Sequence, residues 1–175
     1  MSRRSWLPLA ITFAVSLFLL CTLAVIFAFS AESGEESGNR SAGITHTVLR
    51  LFYPDFEQME ETAAEALVTS AHHFIRKAAH FSEFALLGVL STTLILLLLW
   101  SFPNLKLKYW MTILFPPLFC LLYAISDEVH QIFTGRGPRA TDVLIDFAGA
   151  VTGCLLTQGI AYLIRTIIRK RKEKP

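Results

Sequence analysis

Four stretches of this chain, residues 6–29, 79–100, 110–125 and 143–164, are apolar over most of their length. Each approaches the roughly 20 residues that an α-helix needs to cross a hydrocarbon core of ~30 Å. In lipid every backbone N–H and C=O must find a partner inside the protein, so such segments can only be helices or closed barrels. Runs this long and unalternating fit helices. The composition agrees: 53% of the 175 residues are hydrophobic and only 17% are charged, which excludes an ordinary soluble domain. The expected fold is an all-α, polytopic membrane bundle of about four transmembrane helices. The third segment contains Pro116 and Pro117, which predicts a kinked helix or two abutting half-helices, with the freed backbone groups satisfied by neighbouring helices.

Lysine and arginine favour short cytoplasmic segments. Arg3 and Arg4 precede the first span, Lys106 and Lys108 lie between the second and third, and Arg165, Arg169, Lys170, Arg171, Lys172 and Lys174 follow the fourth. All three groups fall on one side, so both termini are expected in the cytoplasm. The opposite side receives a loop rich in glutamate, from Glu32 to Glu65. The first apolar stretch is too long for a secretory h-region, which predicts an uncleaved first helix despite Arg3-Arg4 and Ala28-Phe29-Ser30. Cys21 follows Leu19-Leu20 rather than small residues, against a lipoprotein cleavage site.

The chain divides into a first transmembrane helix (1–29), an extracytoplasmic acidic linker and amphipathic segment (30–72), a three-helix membrane core (73–165) and a basic cytoplasmic tail (166–175). Residues 30–43, SAESGEESGNRSAG, read as a flexible linker from their glycine, serine and glutamate content. From 44 to 70 the apolar residues recur near a 3.6-residue period, predicting one or two amphipathic helices that pack on the bundle or act as a lid.

Cys21, Cys120 and Cys154 lie in apolar runs and are expected to be reduced packing residues. There is no CxxC pair, GxGxxG turn or P-loop, hence no sign of thiol-redox or nucleotide chemistry. No cofactor, resident metal or nucleic-acid partner is expected.

The chemistry concentrates where apolar segments meet polar residues. On the second span His73, Arg76, Lys77, His80, Glu83 and Phe84 follow three- and four-residue steps and so share much of one face. The His80-x-x-Glu83 spacing suits two metal ligands or a hydrogen-bonded structural pair. At the end of the third span Tyr123, Asp127, His130 and Gln131 fall within one arc, with Glu128 displaced to its flank. Two adjacent acids at a membrane edge need a cation such as Arg136 or Lys77, or a held proton. The following turn, Thr134-Gly135-Arg136-Gly137-Pro138-Arg139, carries two guanidinium groups. They suit a phosphate or carboxylate, or simple pairing with Asp127, Glu128 or Asp142.

The fourth span begins with Thr141 as expected N-cap and Asp142 in its first turn. Asp146 lies about 6 Å deeper on one stripe with Asp142, Gly149 and Gly153. The Gly149-x-x-x-Gly153 pair permits close approach of another helix, so Asp146 is expected to face the second and third spans.

The ordered set Lys77-x-x-His80-Phe81-x-Glu83-Phe84, Asp127-Glu128-x-x-Gln131-x-Phe133, Gly135-Arg136, Asp142-Val143, Asp146, Gly149 and Gly153 resembles the VanZ family of small bacterial membrane proteins. Phe84 stands where many relatives have tyrosine, and Thr134 where proline often precedes Gly-Arg. The resemblance implies a four-helix domain of the bacterial cytoplasmic membrane, a family link to teicoplanin resistance, and a site of Lys77, His80, Glu83, Asp127, Glu128, Gln131, Arg136, Asp142 and Asp146. It does not imply a reaction. With Arg139 added, this outward-facing set is expected to bind membrane lipid, a lipid-linked envelope precursor or a lipoglycopeptide. The alternatives are an intramembrane hydrolase or transferase, with Glu128 or Asp127 as base and His80 assisting, and a purely structural membrane protein.

Overall fold

The computed structural model describes residues 3–102, 104–105, 107–137 and 139–173, the side chains of residues 3–5 excepted. Lys106, Pro138 and Lys174, and the side chains of Arg3 and Arg4, therefore lie outside the description. Five α-helices follow in order: α1 Arg3–Ser30, α2 Gly34–Phe52, α3 Glu61–Ser101, α4 Tyr109–Phe133 and α5 Ala140–Lys172, with a 3-10 turn at Phe56–Gln58. Among the described residues there is no strand. All except α2 are long and apolar enough to span a membrane. Residues such as Leu17, Phe18, Leu122, Leu144 and Leu156 point outward and are well exposed, as lipid-facing surfaces require. Trp6, Trp100 and Trp110 are also exposed and mark one end of the bundle, where indole rings suit the membrane interface.

The spans alternate in direction. Thr12 on α1 meets Ser101 on α3, Oγ to Oγ at 2.9 Å, so these two are antiparallel, whereas Tyr123 on α4 donates to the Leu23 carbonyl at 2.7 Å. The most extensive packing is between α3 and α5, and its cause is glycine. A Cβ at Gly149 would lie 2.2 Å from the Phe81 carbonyl oxygen, one at Gly153 2.0 Å from that of Ala85, and one at Gly88 2.2 Å from that of Ala150. The two backbones touch directly. The expected Gly149/Gly153 stripe thus faces α3, and Gly88 completes the contact from the other side. Beside it Phe84 and Leu87 are fully buried against Cys120, Ala124 and Ala150. All three cysteines are free, but Cys21 is exposed rather than packed inside.

Pro116 and Pro117 do not divide α4, which runs as one assigned helix through both. Proline at 116 cannot donate to the Thr112 carbonyl; Gln158 on α5 does so instead, Nε2 to O at 2.8 Å.

The segment expected to be a flexible linker is instead the first half of α2. Ser33 accepts from the Glu36 N–H at 3.2 Å while the Glu36 carboxylate accepts from the Ser33 N–H at 3.0 Å, a reciprocal capping box that starts the helix. Arg40 pairs with Glu32 and lies 4.5 Å from the Phe29 ring centroid, tying α2 to the end of α1. The helix stops at Tyr53, before Pro54. The 41 residues of α3 span about 60 Å, twice a hydrocarbon core, so its N-terminal part projects beyond the apolar zone and carries α2 on its side.

Two predictions follow from these contacts. Gly149→Leu or Gly88→Leu should destabilise the detergent-solubilised protein by about 1–3 kcal/mol or more, whereas Gly159→Leu, which meets nothing within 4 Å, should leave its melting temperature unchanged. The hydrogen bonds from Ser33 hold the Glu36 carboxyl below the usual carboxylate range. Its contribution to α2 is therefore present above the ordinary glutamate pKa and is lost as pH falls through the lowered folded value. Amide exchange in the first turn of α2 should rise on acidification, and Ser33→Ala should remove that pH dependence.

Candidate functional site

The polar residues gather at the end of the bundle opposite the tryptophans, where α2, the start of α5 and the α4–α5 turn meet α3. Gly135 has φ of 74°, and past the end of α4 the N–H groups of Gly135 and Arg136 donate back to Ile132 and Gln131 at 3.4 and 3.1 Å. This closure reverses the chain where only glycine is at ease. It aims Arg136 back over the bundle, where its Nη1 donates to the Phe29 carbonyl at 3.2 Å. The helix following the turn starts two residues earlier than the sequence suggests. Arg139 is the N-cap without a side-chain cap bond, and Thr141 lies inside the first turn.

Two adjoining cavities occupy this end. The deeper, about 120 Å³, is lined by Arg76, His80, Glu83, Asp127, Gln131 and Arg136, and closed from above by α2 through Ser37, Arg40 and Ser41. The outer, about 160 Å³, shares Arg76, Gln131 and Arg136 and adds His72, Arg139 and Asp142. Its α2 wall consists of Gly34, Ser37, Gly38 and Ser41, small residues at i, i+3, i+4 and i+7 that leave room below the helix. Each volume is far above the ~15 Å³ that one water needs.

Within the site, Gln131 donates to Asp127 Oδ2 at 2.8 Å, and the Arg139 N–H to Glu128 Oε2 at 2.8 Å. Arg76 Nη2 stands 3.5 Å from Asp142 Oδ2. His80 Nδ1 stands 3.4 Å from Oδ1 of Asp146, which is fully buried. Neither Asp146 oxygen, nor Glu128 Oε1, nor His80 Nδ1 has a hydrogen-bond partner. Burial of Arg136, with Arg76 beside it, lowers its pKa below the ordinary arginine value. Both guanidiniums stay charged. In the deeper cavity Arg40, Arg76 and Arg136 are matched by Glu32, Glu83 and Asp127, whereas in the outer one Arg76, Arg136 and Arg139 face Asp142 alone, so it is the outer cavity that favours an anion.

The structure brings together eight of the ten expected site residues around these cavities: His80, Glu83, Asp127, Gln131, Arg136, Arg139 and Asp142 line them, and Asp146 backs His80. Glu128 is buried, but on the flank between α4 and α5, and Lys77 lines neither cavity. Asp127 and Glu128 each accept a hydrogen bond from an amide, and among the described residues neither forms an ion pair with Arg136 or Lys77. His73 points outward and exposed, while its neighbour His72 faces the outer cavity. His130 turns toward α1, stacking on Phe27 at 4.6 Å between ring centroids, with Nδ1 3.3 Å from Ser30 Oγ. The wall supplied by α2 was hidden by its linker-like composition; its one sequence signal is Ser33-x-x-Glu36. Among the described residues, no group of three or more His, Cys, Asp or Glu side chains is placed to hold a metal ion.

In a double-mutant cycle, His80→Ala and Asp146→Ala should be non-additive by about 0.5–3 kcal/mol. Additive losses would place the two side chains out of contact.

A protein-family model described as VanZ/LLP1 matches residues 11–164. No curated protein and no solved structure matches the chain.

Proposed function

The chain belongs to the VanZ/LLP1 family, and from that premise we propose that it binds an anionic, lipid-linked component of the bacterial envelope, or a lipoglycopeptide, in the two adjoining cavities. The observation that carries this reading is the set of three guanidinium groups, Arg76, Arg136 and Arg139, around one outer cavity whose only lining acid is Asp142. Arginine offers a planar fork of donors that suits phosphate and carboxylate oxygens. The small-residue face of α2 leaves a headgroup space, while the lipid-facing helices below offer a path for an attached chain. The placement of lysine and arginine along the sequence supports an orientation with both termini in the cytoplasm and the cavities facing outward. In that orientation the site meets envelope lipids and externally added glycopeptides before they reach the cytoplasm. The link to teicoplanin resistance belongs to the family; for this chain it is the medical face of a general lipid-binding role.

Arg136→Ala should lower the retention of anionic lipid in native mass spectrometry after gentle detergent extraction, with the melting temperature little changed. Unaltered lipid retention in a folded Arg136→Ala variant would count against the reading.

A further inference from the structure

Asp146 is a carboxyl with zero exposure and no hydrogen bond to either oxygen. A buried polar group left so is expensive, and in a native protein it calls for an explanation. His80 Nδ1 stands 3.4 Å from Oδ1 of Asp146. That approach is long for a hydrogen bond, and a shift of a few tenths of an ångström closes it. With Nδ1–H turned to the carboxylate, the lone pair is left on Nε2, at the opposite edge of a ring that lines the deeper cavity. Arg76 lies four residues before His80, one turn above it on the same face of α3, and Arg136 lines the same cavity. An anion held between the two guanidiniums therefore sits over the imidazole. Three arginines around the adjoining outer space match an oxyanion with three terminal oxygens better than a carboxylate with two. Glu83, one turn below His80 on the same face of α3, lines the deeper cavity together with Asp127 and Glu32.

We propose that this cavity is a phosphoryl-transfer centre, with His80 as nucleophile, Asp146 as its positioning residue, and the terminal phosphoryl group of a membrane lipid as substrate. The proposal rests on the reading that the cavities receive an anionic lipid, and adds a reaction to it. Nε2 of His80 attacks phosphorus, forming an N–P bond as the P–O bond to the lipid breaks. The departing oxygen takes a proton from the Glu83 carboxyl. Water then attacks the phosphohistidine, giving one proton to the Glu83 carboxylate while the N–P bond breaks. Inorganic phosphate leaves, and the imidazole and the Glu83 acid are restored. A lipid phosphomonoester yields the lipid alcohol, and a lipid diphosphate yields the monophosphate. Asp146 holds the ring tautomer and balances the positive charge of the phosphorylated imidazole.

The test uses the full chain in phosphatidylcholine vesicles carrying either phosphatidic acid or a polyprenyl diphosphate, with p-nitrophenyl phosphate as the water-soluble source. Phosphate release and lipid retention are measured separately. The expected result is release from at least one lipid probe and an acid-labile phosphoprotein on rapid mixing. Release should fall by about 100-fold or more in His80→Gln, with retention preserved. Asp146→Asn should lower kcat with KM unchanged, and Asp146→Glu should restore part of it. Release confined to p-nitrophenyl phosphate would overturn the lipid assignment. Retention of both lipids by the wild type without release from either would overturn the reaction and leave the binding reading standing. Loss of neither release nor phosphoprotein in a folded His80→Gln or His80→Asn variant would also overturn it. Absence of both retention and release would remove both readings.

Discussion

Direct backbone contact between α3 and α5 is the constraint on which the polar end of this bundle depends. Gly88, Gly149 and Gly153 have no side chains to hold the helices apart, and any Cβ there would fall within 2.2 Å of a carbonyl oxygen. In lipid there is no hydrophobic drive to bring helices together, so close packing of small residues and the weak Cα–H to carbonyl contacts it allows must do so. Because α3 and α5 lie side by side in the same direction, this contact fixes their register. Two steps toward the site from Gly149 and Gly153, the same register sets Asp146 beside His80 and Asp142 beside Arg76.

Placing five acids, Glu83, Asp127, Glu128, Asp142 and Asp146, and three arginines, Arg76, Arg136 and Arg139, at the margin of an apolar bundle is costly unless each finds a partner. The partners of three of the acids come from α4, the α4–α5 turn and α3. Asp127 is held by Gln131 from its own helix, Glu128 by the Arg139 amide from the turn, and Asp142 by Arg76 from α3. The turn closes because Gly135 adopts positive φ, and α2 covers the assembly because its lower face is glycine and serine. What is left without a hydrogen-bond partner in this network is Asp146, the inner nitrogen of His80 and one oxygen of Glu128.

Much of this was legible in the sequence because membrane physics leaves few choices. Apolar length marks the spans, and the Gly149-x-x-x-Gly153 pair is enough to turn Asp146 inward. Helical phase puts Asp127 and Gln131 on one side and Glu128 on its flank, as the structure has them. Composition misled at residues 30–43: glycine and serine count toward flexibility, yet here they are the face a helix needs to leave a cavity beneath it. Gly88 was invisible because a single glycine in a 41-residue helix has no periodic partner; its role depends on where α5 lies. His72 and His73 differ by 100° around one helix, and the apolar pattern there is too weak to choose between them. Pro116 and Pro117 suggested a break, and only the reach of Gln158 from another helix explains why α4 continues through them.

The central claim is that the α3–α5 clamp and the closing turn set Arg136 over a site that holds a lipid phosphate. Solid-state NMR on the ¹⁵N-arginine-labelled protein in phosphatidic acid vesicles measures it directly, through ¹⁵N–³¹P dipolar coupling. The account predicts strong dephasing of the Arg136 guanidinium signal, identified by its loss in Arg136→Lys, and weak dephasing of that signal in Gly149→Leu, where the clamp is forced open. Coupling at Arg136 no stronger than at the exposed Arg50, or the same coupling with the clamp opened, would contradict it.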